Sequence, residues 1–75
     1  MNKPELKEFR EIILQHEYAV RMCIRVMGIR EGYVDDLAQE TFILAYKKFH
    51  TYDQSRSLRA WLLGLAKNLV LNEIT

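Results

Sequence analysis

Apolar side chains recur at steps of three and four residues through most of this chain, the period of a helix with one face turned inward. The first run, Leu6, Phe9, Ile13, His16, Val20, Cys23 or Ile24, and Met27, predicts a helix over residues 5–27. Pro4 sits where a first turn tolerates a missing N–H, and Gly28 follows the last periodic residue, where helices commonly end. After a connection from Ile29 to Gly32, the residues Val34, Leu37, Ala38, Phe42, Ala45, Tyr46 and Phe49 predict a second helix over 33–49. Its acids Asp35 and Asp36 fall in the first turn and Lys47 and Lys48 in the last, the order that the helix dipole favours.

Residues 50–57 break the pattern: His50-Thr51-Tyr52-Asp53-Gln54-Ser55-Arg56-Ser57 is polar and turn-prone around one aromatic, and reads as a loop. Tyr52, as a loop aromatic, is expected to add little to the core. Ser55 or Ser57 can cap a third helix over 57–74, with Leu58, Trp61, Leu62, Leu65 and Leu69 inward. Leu63, Val70 and Ile74 then lie on its opposite side, so this helix is either wrapped by its neighbours or covered by a partner. Leu37, Phe42, Trp61, Leu65 and Leu69 are expected to be buried together. No stretch alternates with period two, so the expected class is all-α, a compact three-helix bundle.

At 75 residues the chain is read as one domain, 1–75, in which nearly every apolar residue must serve a single small core. With 49% hydrophobic and 28% charged residues it should fold. No run is long enough to span a bilayer, and Met1-Asn2-Lys3-Pro4-Glu5 opens into charged sequence where a secretory signal needs an apolar stretch. The lone Cys23 agrees with a cytoplasmic setting, because small secreted domains pair their cysteines.

The formal charge of +1 conceals an asymmetry. Residues 1–40 carry six cations against eight acids, net −2, whereas residues 41–75 carry five against two, net +3. One surface thus suits a basic partner and another a polyanion. On the second helix, Asp36, Gln39, Glu40, Ile43 and Lys47 form one stripe pointing away from Leu37, Phe42 and Ala45. An outward apolar residue framed by acids and an amide suits a docking patch, although spacing alone favours an ordinary solvated face, since exposed single apolar residues are common. On the third helix, Asn68 and Asn72 stand one turn apart on the Trp61 side, where amides can read base edges and an aromatic can support a base. Alternatively Trp61 is simply a core residue.

Catalysis finds little support. His16 and His50 are distant in sequence, Cys23 has no companion, and no zinc, calcium or phosphate-loop spacing occurs, so neither a metal nor a cofactor is expected. His16 falls on the apolar stripe and reads as a core histidine. A bundle this small suggests no substrate pocket, and the chain is read as not an enzyme.

Two linked motifs are more specific. Asp35-Asp36-Leu37-Ala38-Gln39-Glu40-Thr41-Phe42-Ile43-Leu44-Ala45-Tyr46, followed by Arg59-Ala60-Trp61-Leu62 and Ala66-Lys67-Asn68-Leu69, resembles region 2 of extracytoplasmic-function sigma factors of bacterial RNA polymerase, over roughly residues 33 to 72. The resemblance implies that the Asp-Leu-x-Gln-Glu helix docks on the clamp coiled coil of the polymerase beta-prime subunit, through Asp36, Gln39 and Glu40, with Ile43 on the same stripe. It implies that the loop and the Trp-bearing helix engage the non-template strand of the promoter minus-ten element and capture a base as the duplex opens, through Tyr52, Arg59, Trp61, Lys67, Asn68 and Asn72. An anti-sigma factor is a further possible partner. Arg59 and Lys67 are expected on the outer side of the third helix as phosphate contacts. Gly64 departs from the family, many of whose members carry Arg or Lys there, and weakens the helix by about 1 kcal/mol relative to Ala. The family continues beyond a position equivalent to Thr75 into a second helical domain, so promoter binding by this chain alone should be weak. Two other classes of function remain: a helical protein-interaction module, anti-sigma-binding or self-associating, that binds no DNA, and a small helical hydrolase or metal protein, against which the absence of ligand spacing argues.

Overall fold

The computed structural model describes residues 4–74. Three helices, α1 (Leu6–Val26), α2 (Glu31–Lys47) and α3 (Leu58–Ile74), pack against one another, with a 3-10 turn at Phe49–Thr51 between the last two. No strand occurs among the described residues.

The helix ends have local causes. At the start of α1 the Glu8 carboxylate accepts a hydrogen bond from the Glu5 N–H at 2.9 Å, which satisfies one of the donors a first turn leaves unpaired. At its end Gly28 takes φ of 91°, a left-handed conformation that side chains resist, and its N–H closes on the Arg25 carbonyl at 2.9 Å. The chain re-enters helix at Glu31, two residues before the predicted start, because Gly32 is accommodated inside the first turn. Glu31 therefore supplies the first-turn acid, and Asp35 and Asp36 lie in the second turn. Ser57 caps α3: its Oγ accepts from the Ala60 N–H at 3.2 Å, and its carbonyl accepts the first helical bond, from the Trp61 N–H, at 3.1 Å.

Helices α1 and α2 run antiparallel, as three matched contacts along their length record. Arg25 pairs with Glu31, Arg21 pairs with Asp35, and the Phe9 and Tyr46 rings meet at 5.1 Å. Helix α3 runs back along α2, with Trp61 near Phe49 and Glu73 beside Arg30 and Tyr33. The core comprises Phe9, Val20 and Ile24 of α1, Val34, Leu37, Ala38, Phe42 and Ala45 of α2, Phe49, and Leu62, Ala66 and Val70 of α3. Ala38, Ala45 and Ala66 are small enough to let the helices approach closely. Thr41, wholly buried, has its hydroxyl satisfied by the Leu37 carbonyl at 2.8 Å.

Four expectations about packing need correction. The buried line of α3 is Leu62, Ala66 and Val70, whereas Trp61, Leu65 and Leu69 are half-buried at its margin. Val70, assigned to the outer side, is 0% exposed. The helix is apolar around most of its circumference, so periodicity leaves its rotation undetermined, and α1 and α2 between them cover both sides. Leu6, assigned to the inner stripe of α1, is 72% exposed because it lies at the N-terminal edge of the contact with α2. Tyr52 packs on Phe49 and Trp61, at ring separations of 5.5 and 5.2 Å, and so belongs to the packed interior margin. The side chain of Ile74, residues 1–3 of the charged opening and Thr75 lie outside the described residues.

Truncating Phe49 to Ala should cost about 3 to 5 kcal/mol, the range for a buried aromatic, whereas Leu6→Ala should change stability by less than about 0.5 kcal/mol. Urea unfolding followed by circular dichroism checks both, and equal midpoints for the two variants would contradict this assignment of the core.

Candidate nucleic-acid and protein-docking surfaces

The outward stripe of α2 is formed as its spacing requires. Asp36, Glu40, Ile43 and Lys47 are exposed opposite the buried line of Val34, Ala38, Thr41 and Ala45, with Gln39 exposed on one flank. Neighbouring acids have different fates. Asp35 is turned about 100° from Asp36 and pairs with Arg21, while Glu31 takes Arg25 through bonds at 2.8 and 2.9 Å. The bond to Arg25 holds the Glu31 carboxyl below the usual carboxylate range, and the same bond raises the Arg25 guanidinium. Asp36 and Glu40 form no ion pair among the described residues. They face a cleft of about 540 Å³ that also meets Arg30, Tyr33 and Glu73.

The second surface lies where α2 gives way to α3. Phe49, Tyr52 and Trp61 form a continuous ring cluster, with Phe49 perpendicular to Trp61 at 5.7 Å and Tyr52 tilted 39° from Trp61 at 5.2 Å. The Tyr52 hydroxyl donates to the Arg56 carbonyl at 2.6 Å, which fastens the loop across its own turn. Asp53 accepts from the Ser55 N–H at 3.0 Å and from the Ser55 hydroxyl at 2.8 Å, and these bonds hold its carboxyl below the ordinary range. Between loop and helix opens a cleft of about 620 Å³, walled by Tyr52, Trp61 and Ala60 and edged by Thr51, Asp53, Arg56 and Ser57.

The expected DNA-binding residues divide into three groups. At about 100° per residue, Asn68 and Asn72 fall within roughly 20° of Trp61 around α3, about 10 and 16 Å further along it, so these three make one line. Both asparagines are exposed, and neither lines the cleft itself. Lys67 is exposed on the outer side of α3, as expected. Arg59 is not. It lies about 160° around the helix from Trp61, on the side of α1, and its charge adds to burial in lowering the pKa of His16. His16 is half-buried, as its place on the apolar stripe suggests, with no hydrogen-bond partner for Nδ1 among the described residues.

The cation at the cleft is instead Arg56, 81% exposed in its side chain and 3.6 Å from Asp53. The reading from sequence passed over it. The signal was the Asp-x-Ser-Arg turn, which brings a basic residue back toward the aromatic two positions before the start of α3.

Among the described residues, no group of His, Cys, Asp and Glu is placed to hold a metal ion, and no helix is long and apolar enough to cross a membrane.

Comparison with known proteins decides the family, because residues 13–75 match sigma-70 region 2. The chain belongs to the sigma-70 region 2 family. It is similar to the RNA polymerase sigma factor CnrH of Cupriavidus metallidurans, at 34% identity over 83% of this chain and 32% of that protein. It is also similar to the RNA polymerase sigma factor NccH of Alcaligenes xylosoxydans xylosoxydans, at 32% identity over 80% of this chain and 32% of that protein. The ECF RNA polymerase sigma factor SigW of Bacillus subtilis is 30% identical over 99% of this chain and 40% of its own length. This region 2 chain thus spans 32 to 40% of the length of these curated relatives. No solved structure matches it. The resemblance read from the Asp-Leu-x-Gln-Glu and Trp-Leu motifs is thereby borne out, and it extends back into α1.

The packed position of Tyr52 gives it a stability role. Tyr52→Phe, which keeps the ring and loses the bond to the Arg56 carbonyl, should cost about 1 kcal/mol in urea unfolding. Tyr52→Ala should cost distinctly more, and identical midpoints for both variants would show that the ring contributes no packing.

Proposed function

We propose that this chain is the polymerase-docking and promoter-opening part of an RNA polymerase sigma factor, a binding rather than a catalytic role exercised in the cytoplasm. The observation that carries this reading is the presence, in a sigma-70 region 2 chain, of two separate surfaces of different chemistry: on α2 an outward stripe whose acids form no ion pair among the described residues, and an open aromatic cleft beside α3. Asp36, Gln39, Glu40 and Ile43 form the contact for the beta-prime clamp coiled coil. Asp35 and Glu31 hold α2 against α1 and keep the stripe in place.

Opening a duplex costs a few kcal/mol for each base taken from the stack, and a site that receives that base offsets part of the cost. Tyr52 and Trp61 offer aromatic surface to a base of the non-template minus-ten strand, a type of contact worth about 1 to 3 kcal/mol. Arg56 holds the phosphate at the mouth of the cleft. Asn68 and Asn72, in line with Trp61, meet the edges of neighbouring bases, and Lys67 holds the backbone from the outer side of α3. Arg59 faces away from this track and belongs to the seam with α1. A base still paired and stacked in a closed duplex has no free face to offer such a cleft, which supports a preference for the single strand.

Fluorescence anisotropy with single-stranded minus-ten oligonucleotides at two salt concentrations separates these roles. Lys67→Ala and Arg56→Ala should weaken binding about equally for all sequences and flatten the salt dependence. Asn68→Ala should instead erase about 1 to 3 kcal/mol of discrimination at one base with little change in salt slope. Asp36→Lys with Glu40→Lys should abolish binding to core RNA polymerase without loss of helical content, since both side chains are exposed. Equal affinity for duplex and single strand overturns base capture, and polymerase binding retained by the charge-reversed variant overturns the docking role. A protein-only interaction module would bind neither form of DNA.

A further inference from the structure

Gly64 stands in α3 at a position where the fold gives no reason for a glycine. It lies inside the helix, does not take the positive φ that marks Gly28, and a Cβ added to it would meet no atom within 4 Å. Neither a turn nor the close approach of another element requires it, and a glycine in a helix interior costs stability that alanine restores. Its neighbours on the helix surface, three and four residues away on either side, are Ala60, Trp61, Lys67 and Asn68. Ala60 and Trp61 wall the aromatic cleft, and Trp61, Lys67 and Asn68 are the residues proposed above to meet DNA.

We infer that Gly64 is a specificity-determining crossing point: the single strand leaving the cleft between Tyr52 and Trp61 lies directly on the α3 backbone there, on its way to Asn68. The inference rests on the base-capture role proposed above. At about 100° per residue, Trp61 and Lys67 stand about 60° to either side of Gly64, and Asn68 lies one turn ahead, about 6 Å along the axis. Side chains widen a helix from a radius of about 2.3 Å at the Cα atoms to about 5 to 6 Å, so the missing side chain lowers the surface by about 3 Å between two raised walls. Ala60, exposed and one turn back, continues this low surface to the mouth of the cleft. The walls differ in the way a strand requires. An aromatic ring and an amide stand on the side of the bases, and a cation stands on the side of the phosphates. A side chain at position 64 would project into the path between them and hold the strand off the Trp61 ring and the Asn68 amide. The stability that α3 gives up at Gly64 is thus matched by closer approach of the strand.

The test pairs anisotropy titrations of the whole chain, against a labelled single-stranded minus-ten oligonucleotide, with urea unfolding of the same variants. Gly64→Ala should raise the urea midpoint and yet raise Kd about two- to threefold. Gly64→Gln should raise Kd about tenfold, with its midpoint at or above that of wild type. Neither variant should change the salt dependence, because no cation is lost. Gly32→Ala, at a helical glycine of α2 that also has open space beside it and lies at the end of that helix remote from the cleft, should leave Kd unchanged. Wild-type or tighter affinity in both Gly64 variants, with the single strand still preferred over the duplex by the wild-type chain, overturns the crossing point and leaves base capture standing. A lower midpoint for Gly64→Ala also overturns the inference, since the glycine would then serve the fold. If the wild-type chain binds duplex and single strand equally, the capture role itself fails, and the crossing point with it.

Discussion

The packing of Phe49 against Phe9, Tyr52 and Trp61 is the contact on which the candidate DNA surface depends. Phe49 is buried where α2 ends, and its ring meets that of Phe9 at 6.3 Å, Tyr52 at 5.5 Å and Trp61 at 5.7 Å. One side chain thereby ties α1, the loop and the start of α3 to the end of α2. Edge-to-face contacts of this kind add about 0.5 to 1.5 kcal/mol each beyond area burial. They also fix orientation, which matters more here. Tyr52 and Trp61 are held as the half-buried rim of the core, each with one side packed and the other open to the cleft. The alternatives for Trp61, core residue or base support, are therefore not exclusive, because a ring immobilised by the core loses little further freedom when a base stacks on it.

Charge is divided by the same economy of position. Asp35 and Asp36 are adjacent in sequence, yet a helix turns them about 100° apart, so one closes the seam with Arg21 and the other faces outward. Arg25 and Glu31 repeat the seam contact one turn away. These pairs are largely exposed at their acids and contribute modestly to stability, but they tie α1 to α2, while Asp36 and Glu40 form no ion pair among the described residues. On α3 the division runs the other way. Arg59, though exposed, lies on the side of His16 of α1, while Lys67, Asn68 and Asn72 are exposed elsewhere around the helix.

Most of the fold was legible because its signals were local. Gly28 marked the end of α1, Ser57 the cap of α3, and the stripe through Asp36, Glu40, Ile43 and Lys47 followed from spacing alone. The rotation of α3 was not legible. Leu58, Trp61, Leu62, Leu63, Leu65, Leu69 and Val70 surround that helix, and only the positions of α1 and α2 decide that Leu62, Ala66 and Val70 face inward. The same ambiguity misplaced Arg59. Tyr52 was read as a loop residue of little structural weight because its ring contacts and its bond to the Arg56 carbonyl depend on a turn that only the folded loop displays. Arg56 escaped notice for the same reason, since its place at the cleft is created by the Asp53–Ser55 hydrogen bonds.

Trp61 is the single tryptophan of the chain, so its fluorescence reports on the cleft without any label. Titration with a single-stranded minus-ten oligonucleotide, and with the same sequence as a closed duplex, tests whether a base enters beside Tyr52 and Trp61. The expected result is saturable quenching by the single strand and far weaker quenching by the duplex at equal concentration. Emission that is unchanged by the single strand at saturation, or equally quenched by both forms, would contradict capture of an unstacked base at this site.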